Sequence, residues 1–390
     1  MKILILSFYF QPDLCAGSFR CTALVNHLKK LANKDCEIEV ITTIPNRYAS
    51  FNIQAPEIEQ SDKVIIRRIT LPSHKGGMLD QARAFVHYSR QVNKLTKNKD
   101  YDLVFATSSR LMTAVLGAQI SNRKKAKLYL DIRDIFVDLI KDIFPGKIAF
   151  FVKPIFSILE KWSFSKANRI NIVSGGFQDY FNVRYSHTEL RWFTNGIDPE
   201  FIPLTKIFEQ PNEKRESLTV LYAGNIGDGQ GLHFIIPKLA KRFEGRVNFR
   251  IIGDGGKKNQ LKMFIRESGC SNVKLLNPVD RVKLLEEYKN ADILFLHLNN
   301  YDSLHKVLPS KLFEYAATGK PIWAGVCGFS AKFIQSEIVN AVVFHPCDEL
   351  EAEAVFEKLQ LNLVSRIDFI KKYSRDNIMQ AMAKDILSLV

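Results

Sequence analysis

The stretch VLPSKLFEYAATGKPIWA, residues 307–324, carries the signals of a helix that is followed directly by a buried strand. Pro309 suits the first turn of a helix, where its missing N–H costs nothing, and Ser310 is a residue type that caps the free amides of that turn. Gly319 suits the C′ position that ends a helix, and the apolar run Ile322–Ala324 follows as a strand. The helix is expected to pack on a sheet because three apolar residues recur at helical spacing: Leu312, Tyr315 and Ala316.

The same stretch places polar groups where they suit a small ligand. Glu314 lies about one turn from Lys311 and Ser310, so a carboxylate, an ammonium group and backbone amides converge at one end of the helix. This combination suits a ligand that carries hydroxyls and phosphates. The alternative is an ordinary helix with a Lys/Glu pair one turn apart, and spacing alone leaves both interpretations open.

The composition is that of a folded protein with two domains. A chain of 390 residues exceeds what one hydrophobic core usually serves, and 46% hydrophobic with 25% charged residues excludes a largely disordered protein. No run reaches the ~18 consecutive apolar residues that a membrane-spanning helix requires. The six cysteines include no CxxC pair and the eight histidines show no metal-ligand spacing. We therefore expect reduced thiols, a cytosolic location and no bound metal.

The net charge is +14 at pH 7, and most of this excess lies in the first half of the chain. A basic excess of this size favours contact with an anionic partner, such as lipid headgroups, phosphate-bearing substrates or nucleic acid. Nucleic acid fits least well, because the basic residues are not interleaved with aromatic residues in a recognisable binding module. A charge that only keeps the protein soluble explains the composition equally well.

Short Val, Ile and Leu runs alternate with longer amphipathic stretches, which predicts parallel strands linked by covering helices. A polar, proline-containing stretch at 195–216 separates two sets of predicted strands and is the expected domain linker. Residues 350–390 show helical spacing only, and we expect them to pack back over the domains. The predicted strands are Ile3–Ser7, Ile38–Thr42, Val64–Ile69, Leu103–Ala106, Lys127–Asp131 and Arg169–Val173 in the first set, and Leu218–Tyr222, Asn248–Ile252, Val273–Leu276, Ile293–Leu296, Ile322–Ala324 and Ala341–Phe344 in the second.

Doubly wound α/β domains bind ligands at the loops that follow the carboxyl ends of their strands. After the first strand comes Gly17, just before a helix that carries Arg20. After the first strand of the second set comes a loop with four glycines in residues 224–231, where the backbone can approach a phosphate closely. The spacing is neither GxGxxG nor GxxxxGK(S/T), which argues against an NAD enzyme and a P-loop ATPase.

Two further stretches have open interpretations. Residues 129–138, YLDIRDIFVD, place Asp131 and Asp134 at the carboxyl end of a predicted strand, where charge is costly unless it is paired or used. These acids are therefore either functional or ion-paired with Arg133. Residues 148–168 are aromatic-rich with interspersed lysines, which fits a segment on a membrane surface or a buried helix broken at Pro154.

Five stretches together resemble the ordered landmarks of retaining glycosyltransferases of family 4. They are LRWFTNGIDPEFIP (190–203), LYAGNIGDGQGL (221–232), RIIGDGG (250–256), KNADILFLHL (289–298) and VLPSKLFEYAATGKPI (307–322). The DIRD stretch at 131–134 is similar to the aspartate-rich loop of relatives that build bacterial surface polysaccharides. The resemblance covers essentially the whole chain.

The resemblance implies a GT-B fold, which is α/β with two Rossmann-like doubly wound domains facing a central cleft. It implies an acceptor domain at 1–197 and a nucleotide-sugar domain at 198–372. A C-terminal helix at 373–390 would cross back onto the first domain.

Carried over by position, the resemblance implies that Glu314 holds the ribose hydroxyls of the donor and that Lys311 supplies cationic charge. The groups that would meet the base and the diphosphate are Val279, Leu308, Ser310, Gly224, Asn225, Gly227 and Gly17.

The chain departs from the family pattern in its charged residues. The position eight before Glu314, where the family has a glutamate, is Lys306. The family's arginine and lysine after the glycines of the second domain are Asn225 and Gln230. The cations available to a leaving diphosphate are then Lys306, Lys311 and Arg20. The implied catalytic candidates are Lys306 with Asp131 and Asp134, one of which would position the acceptor hydroxyl.

The implied activity is transfer of a sugar from a nucleotide-diphosphate sugar, UDP-linked, to a lipid-linked or saccharide acceptor with retention of configuration. The resemblance implies no metal and no other cofactor. It places the protein in lipopolysaccharide, O-antigen or capsule assembly, in the cytoplasm and peripheral to an anionic membrane surface. Two alternatives stay open: a nucleotide-sugar epimerase of the same fold, and a catalytically inactive subunit that binds sugar nucleotides.

Overall fold

The structure is a computed structural model that describes residues 1–46, 54–72, 78–108, 110–144, 146–202 and 217–390. The chain divides into two compact units. The first unit comprises Met1–Asn195 with Asp376–Val390, and the second comprises Gly196–Arg375. Of the linker predicted at 195–216, residues 203–216 lie outside the described residues.

The sheet of the first unit is formed mainly by buried Val, Ile and Leu runs. Its strands are β1 (Lys2–Leu6), β2 (Glu37–Thr43), β3 (Ile58–Ser61), β4 (Val64–Ile69), β5 (Leu103–Ser108), β6 (Lys127–Ile132), β7 (Arg169–Ile172) and β8 (Glu189–Arg191). In the described residues they follow the order β3-β4-β2-β1-β5-β6-β7-β8, and neighbouring strands pair in parallel apart from β3 with β4. The near-continuous apolar runs reflect a parallel sheet covered by helices on both faces. These helices are α1 (Ala16–Leu31), α2 (Met78–Thr96), α3 (Leu111–Lys124), α4 (Phe136–Ile143), α5 (Gly146–Ser165) and α6 (Gln178–Arg184).

The second unit has a parallel sheet of β9 (Leu218–Asn225), β10 (Val247–Asp254), β11 (Val273–Leu276), β12 (Ile293–His297), β13 (Ile322–Gly325) and β14 (Ala341–Phe344). Its order, β11-β10-β9-β12-β13-β14, is the 3-2-1-4-5-6 order of a Rossmann sheet. The order reverses between β9 and β12, so the crevice for a ligand lies at their carboxyl ends. The remaining helices are α7 (Leu232–Arg242), α8 (Lys258–Ser268), α9 (Arg281–Asn290), α10 (Lys311–Ala317), α11 (Gly328–Glu337), α12 (Glu349–Phe356), α13 (Ile367–Lys372) and α14 (Arg375–Leu387).

The last helix, α14, packs on the first unit. Met379, Met382 and Ile386 lie in one buried cluster with Leu24 and Leu28 of α1. Removing these side chains from water supplies the driving force that attaches the end of the chain to the first unit. The C-terminal segment therefore returns to the unit in which the chain began.

Most of the predicted elements are confirmed. Each predicted strand is present to within a few residues, and Gly319 has the left-handed φ of +74° expected after a helix. The short strands β3 and β8 were missed because they lack a buried apolar run. The predicted cap at Ser310 is wrong: its backbone is helical and its side chain makes no cap hydrogen bond. The predicted break at Pro154 is also wrong, since α5 continues through it.

In the part of the chain that the structure describes, no helix is long and apolar enough to cross a membrane. Among the same residues, no group of three or more His, Cys, Asp or Glu side chains is placed to hold a metal ion. The six cysteines are free thiols, as the sequence predicts.

Candidate functional site

The carboxyl ends of β9 and β10 lie in close contact with each other and with a lysine. Gly224 has a φ of +148°, and a Cβ placed on it would clash with Nζ of Lys311. On the neighbouring strand, Gly253 has a φ of +151°, and a Cβ there would clash with the carbonyl oxygen of Gly224. Both positions favour glycine for backbone conformation, and Gly253 requires it also for space, because its clash is with backbone. The glycine-rich pattern therefore marks a site where backbone and Lys311 meet.

Lys311 begins α10 and points toward the Gly224 turn. Its Nζ donates a hydrogen bond to the carbonyl oxygen of Ala223, and it lies 4.8 Å from the ring centroid of Tyr222. Burial lowers the pKa of Lys311 from 10.5 to about 8, although the nearby Glu314 carboxylate acts in the opposite direction. The ammonium group is thus charged at neutral pH and loses its proton in mildly basic solution.

Glu314 lies one turn further along α10 and has different partners. Its Oε2 accepts a 3.1 Å hydrogen bond from the hydroxyl of Tyr288, and its Oε1 lies 3.7 Å from Nη1 of Arg281. Burial raises the pKa of Glu314, and the charge of Arg281 acts to lower it. The side chain is 15% exposed, so the alternative of a Lys/Glu pair on a solvated helix face does not describe this helix. A carboxylate accepts about four hydrogen bonds, and these contacts use part of that capacity.

Neutral amides close the glycine-rich loop. Nδ2 of Asn225 donates a 2.7 Å hydrogen bond to Oε1 of Gln230, and the N–H of Gly227 donates to the same oxygen at 3.2 Å. These are the two positions at which the family resemblance leads one to expect an arginine and a lysine. Lys311 therefore supplies positive charge beside this loop, while the side chains at positions 225 and 230 are neutral and bonded to each other.

His297, at the end of β12, is a site residue that the sequence analysis missed. The backbone N–H of Cys347 donates to Nε2 at 3.0 Å, so Nδ1 carries the proton and donates to the carbonyl oxygen of Gln230 at 2.7 Å. Burial lowers the pKa of His297 from 6.5 to about 4. The neutral ring holds the glycine-rich loop against the switch point of the sheet. Its signal in the sequence was a polar residue at the carboxyl end of a buried strand.

Tyr288 and Arg281, which hold Glu314, were also missed. Both lie on α9, and in the sequence nothing local connects that helix with α10. Arg281 in addition pairs with Asp198 and with Glu200, at 3.2 Å for the latter. The approach of α9 to α10 depends on the shared core beneath them.

The other predicted site residues of the second unit lie in the core or next to α10. Leu308 is buried in the core and Val279 packs at its edge. Ser310 precedes α10, and Lys306 ends the 3₁₀ turn Leu304–Lys306. The predicted roles of Leu308, Val279 and Ser310 involve backbone atoms, and like that of Lys306 they stay predictions.

In the first unit, Arg20 and Asp131 form a buried, bidentate ion pair. Nε and Nη2 of Arg20 donate to the two carboxylate oxygens at 3.0 and 2.9 Å. Asn171 donates to the same carboxylate at 2.7 Å, and Arg20 donates to the carbonyl oxygen of Thr194 at 2.6 Å. Burial acts to raise the pKa of Asp131, but the charge of Arg20 and its hydrogen bonds hold it below the ordinary value. Both side chains are enclosed and satisfied, so this geometry does not support Arg20 at the donor or Asp131 at the acceptor.

In the loop after β6, the next charged residue, Arg133, contacts the start of α1. The guanidinium of Arg133 packs on the start of α1, where a Cβ added to Gly17 would clash with it. Asp134, the next residue, is exposed. Gly17 and Arg133 thus meet at the carboxyl edge of the first sheet, where doubly wound sheets bind ligands. The roles predicted for Gly17 and Asp134 stay predictions.

With two Rossmann-like units, the chain has a fold of the GT-B class. The chain resembles HepE of Anabaena, solved in complex with UDP, with a TM-score of 0.65, 17% identity and 100% of both chains covered. It equally resembles WaaG, a glycosyltransferase involved in lipopolysaccharide biosynthesis, with a TM-score of 0.65, 14% identity and coverage of 99% of this chain and 97% of that one. At these identities the likeness shows the fold.

The sequence itself also resembles known proteins. Residues 204–380 match the family model described as "Glycosyl transferases group 1". The chain is also 27% identical over 132 residues to the putative colanic acid biosynthesis glycosyl transferase WcaI of Escherichia coli (strain K12). That match covers 34% of this chain and spans only 31% of the relative's length. The family-model match at residues 204–380 contains the Gly224 loop and all of α10.

Proposed function

We propose that this protein is a glycosyltransferase that moves a sugar from a UDP-linked donor to a saccharide or lipid-linked acceptor, with retention of anomeric configuration. The observation that carries the proposal is the arrangement of Gly224, Lys311 and Glu314 within the region that matches glycosyl transferases group 1. An oriented carboxylate, a lysine and a glycine turn at the switch point suit the ribose and diphosphate of a nucleotide sugar.

In this proposal Glu314 accepts hydrogen bonds from the ribose hydroxyls. Tyr288 and Arg281 orient its carboxylate beforehand, so little ordering remains to be done when the donor binds. The N–H groups before α10 face the diphosphate, because the first amides of a helix have no partner within it. The glycine at position 224 lets the backbone approach the diphosphate closely, while the N–H of Gly227 is bonded to Gln230 and that of Ile226 to Asp254. Ser310 acts through its backbone, since its side chain does not cap the helix.

The leaving diphosphate gains negative charge in the transition state, and Lys311 is the group that we assign to stabilise it. Its ammonium group is already desolvated against Tyr222 and the Gly224 turn, so its field is weakly screened by water. Because Asn225 and Gln230 are neutral, they do not share the task of stabilising the diphosphate charge. Lys311 therefore carries more of it than it would beside an arginine and a lysine. Lys306 is the second candidate cation.

For the acceptor, we propose Asp134 and not Asp131 as the group that positions the attacking hydroxyl. Asp134 is exposed at the carboxyl edge of the first sheet, where an acceptor can reach it, whereas Asp131 is buried. Retention requires that the hydroxyl approach the face from which the diphosphate leaves.

We further propose that the reaction belongs to the assembly of a cell-surface polysaccharide or lipopolysaccharide at the cytoplasmic side of a membrane. The resemblance to WcaI and the fold of WaaG support this biological setting. The acceptor would then be a saccharide carried by lipid, and the basic charge of +14 suits a membrane-proximal enzyme.

Thermal unfolding in the presence of nucleotides tests the donor first. UDP at about 100 times its dissociation constant should raise the free energy of unfolding by ~2.7 kcal/mol, whereas ADP and GDP should have smaller effects. UDP-sugars that protect the protein are then incubated with saccharide acceptors, and the anomeric configuration of the product is determined by NMR. Protection by none of the nucleotides would overturn the proposal, and an inverted product would overturn its mechanism.

A further inference from the structure

Helix α5 exposes an apolar stripe on one face. Phe151, Ile155, Ile158 and Trp162 follow the spacing i, i+4, i+7, i+11, which aligns side chains along one side of a helix. Their exposed fractions are 72%, 59%, 69% and 37%. Two more exposed apolar side chains extend this surface toward the start of the helix. We define the α5 stripe as Ile148, Phe150, Phe151, Ile155, Ile158 and Trp162.

The opposite face of α5 packs against the rest of the first unit. The buried carboxylate of Glu160 accepts hydrogen bonds from the hydroxyls of Tyr180 and Tyr185, at 2.5 and 2.9 Å. Phe164 stacks on Phe181 of α6 with ring centroids 5.6 Å apart. At 100° per residue, Glu160 lies about half a turn from the stripe. The protein's own packing therefore sets the rotation of α5 and leaves the stripe facing outward.

The charges of the segment that carries the stripe are almost all positive. Between residues 143 and 168 the acidic side chain is Glu160, which is buried on the far face. At 100° per residue, Lys147 and Lys161 flank the stripe, whereas Lys153 lies on the side of Glu160. Two copies packed stripe to stripe would bring these flanking lysines together, and like charges at an interface oppose association. An anionic lipid surface is complementary to both the apolar stripe and its lysines.

We propose that the α5 stripe binds the surface of an anionic membrane. The aromatic and branched side chains enter the boundary between headgroups and acyl chains, while Lys147 and Lys161 extend their ammonium groups to the lipid phosphates. The helix lies along the surface because its other face is already packed on protein. This inference rests on the proposed function, in which the membrane contact holds the enzyme beside a lipid-linked acceptor.

Vesicle sedimentation with the full chain tests the contact. The protein should bind phosphatidylcholine vesicles that contain phosphatidylglycerol, and should bind pure phosphatidylcholine vesicles much less. The variant Phe151→Glu/Ile158→Glu should lose about tenfold or more in vesicle affinity, because it places two charges at the apolar boundary. The matched control is Val282→Glu/Leu350→Glu, which makes the same charge change at side chains 71% and 62% exposed in the second unit. The control should bind vesicles nearly as the unchanged protein does.

Tryptophan fluorescence supplies a readout at the stripe itself. The three tryptophans are Trp162 at the end of the stripe, the half-exposed Trp192 and the fully buried Trp323. In a Trp192→Phe background, vesicles should shift the emission of Trp162 to the blue, while Trp323 contributes a constant signal. Binding without such a shift would overturn the assignment of the contact to α5.

Three further results would distinguish membrane binding by the α5 stripe from its alternatives. Equal losses in the stripe variant and the matched control would show that net charge alone attracts the vesicles and would overturn the proposal. A stripe-dependent dimer in size-exclusion chromatography without vesicle binding would show that a second copy covers the stripe. Titration with UDP separates this inference from the proposed function: the stripe variant should keep its UDP affinity, and vesicle binding by a protein that does not bind UDP would contradict only the proposed function.

Discussion

The hydroxyl of Tyr288 on α9 donates a 3.1 Å hydrogen bond to Oε2 of Glu314 on α10, while Arg281 stands 3.7 Å from the other carboxylate oxygen. A long flexible acid would pay a conformational entropy cost to bind a ligand, and these two contacts remove much of it in advance. The carboxylate is therefore held ready to accept hydroxyl donors.

Replacing Glu314 by Gln tests this role. The amide keeps the shape and the helix propensity but turns charge-assisted hydrogen bonds into neutral ones, so UDP binding should weaken by about 1–3 kcal/mol. Calorimetric titration of UDP measures the affinity, and melting curves check the fold. Glu286→Gln is the control, because Glu286 pairs with Lys283 on an exposed helix face. Unchanged affinity in a folded Glu314→Gln protein would mean that α10 is scaffold.

The affinity for UDP should fall as pH rises through about 8. The pKa of Lys311 is lowered to about 8 by burial, and only the protonated form attracts the diphosphate. Because binding stabilises the charged form, affinity is highest below this pKa and should decline by up to tenfold per pH unit above it. Titrations between pH 7 and 9.5 check the slope, and Lys311→Met should bind weakly and without this slope. An identical slope in that variant would assign the titration to another group.

His297 should make folding sensitive to acid. Its pKa is about 4 in the folded protein, against an ordinary value of 6.5. Between these values the unfolded chain binds a proton that the folded chain does not, so stability falls as pH drops from about 6.5 to about 4. The loss is about 3 kcal/mol at most. Denaturant unfolding across this range measures it, and His297→Asn should show a shallower slope. Equal slopes would place the acid sensitivity elsewhere.

Asp131 and Asp134 should respond oppositely to the same substitution. Asp131→Asn leaves the buried guanidinium of Arg20 without a charged partner and should cost about 3 kcal/mol or more of stability. Asp134→Asn changes an exposed side chain and should leave the melting temperature nearly unchanged while lowering sugar transfer. Melting curves and turnover, measured together, separate the two. A stable but inactive Asp131→Asn protein would restore Asp131 as a catalytic candidate.

Sugar transfer should survive a chelator. The described residues contain no cluster with metal-ligand composition, and Lys311 with the loop amides is assigned the charge of the diphosphate. Turnover is compared before and after EDTA. Complete loss of activity that Mg²⁺ or Mn²⁺ restores would contradict this expectation.

Local patterns predicted the elements that carry the site. The apolar runs Ile293–Leu296 and Ile322–Ala324 predicted two central strands of the sheet, which the structure confirms. The glycines of the loop at 224–231 predicted the turn after the first strand of this unit. Such signals are readable because burial imposes a period on neighbouring residues and because only glycine accepts certain backbone conformations. The cap at Ser310 was mispredicted because residue preference does not determine the backbone conformation at the helix start.

By itself, the sequence determined that the chain forms two sets of buried strands with covering helices, and that Glu314 and Lys311 begin one of those helices. Only the tertiary structure decided what these groups touch. Lys311 meets Ala223, 88 positions earlier, and Arg20 meets Asp131, 111 positions later. The same holds for α5, whose sequence fitted either a segment on a membrane surface or a buried helix; the packing of Glu160 shows which face turns outward. Contacts between distant residues are set by how elements pack, and a charge becomes a ligand group or a buried ion pair according to what that packing brings beside it.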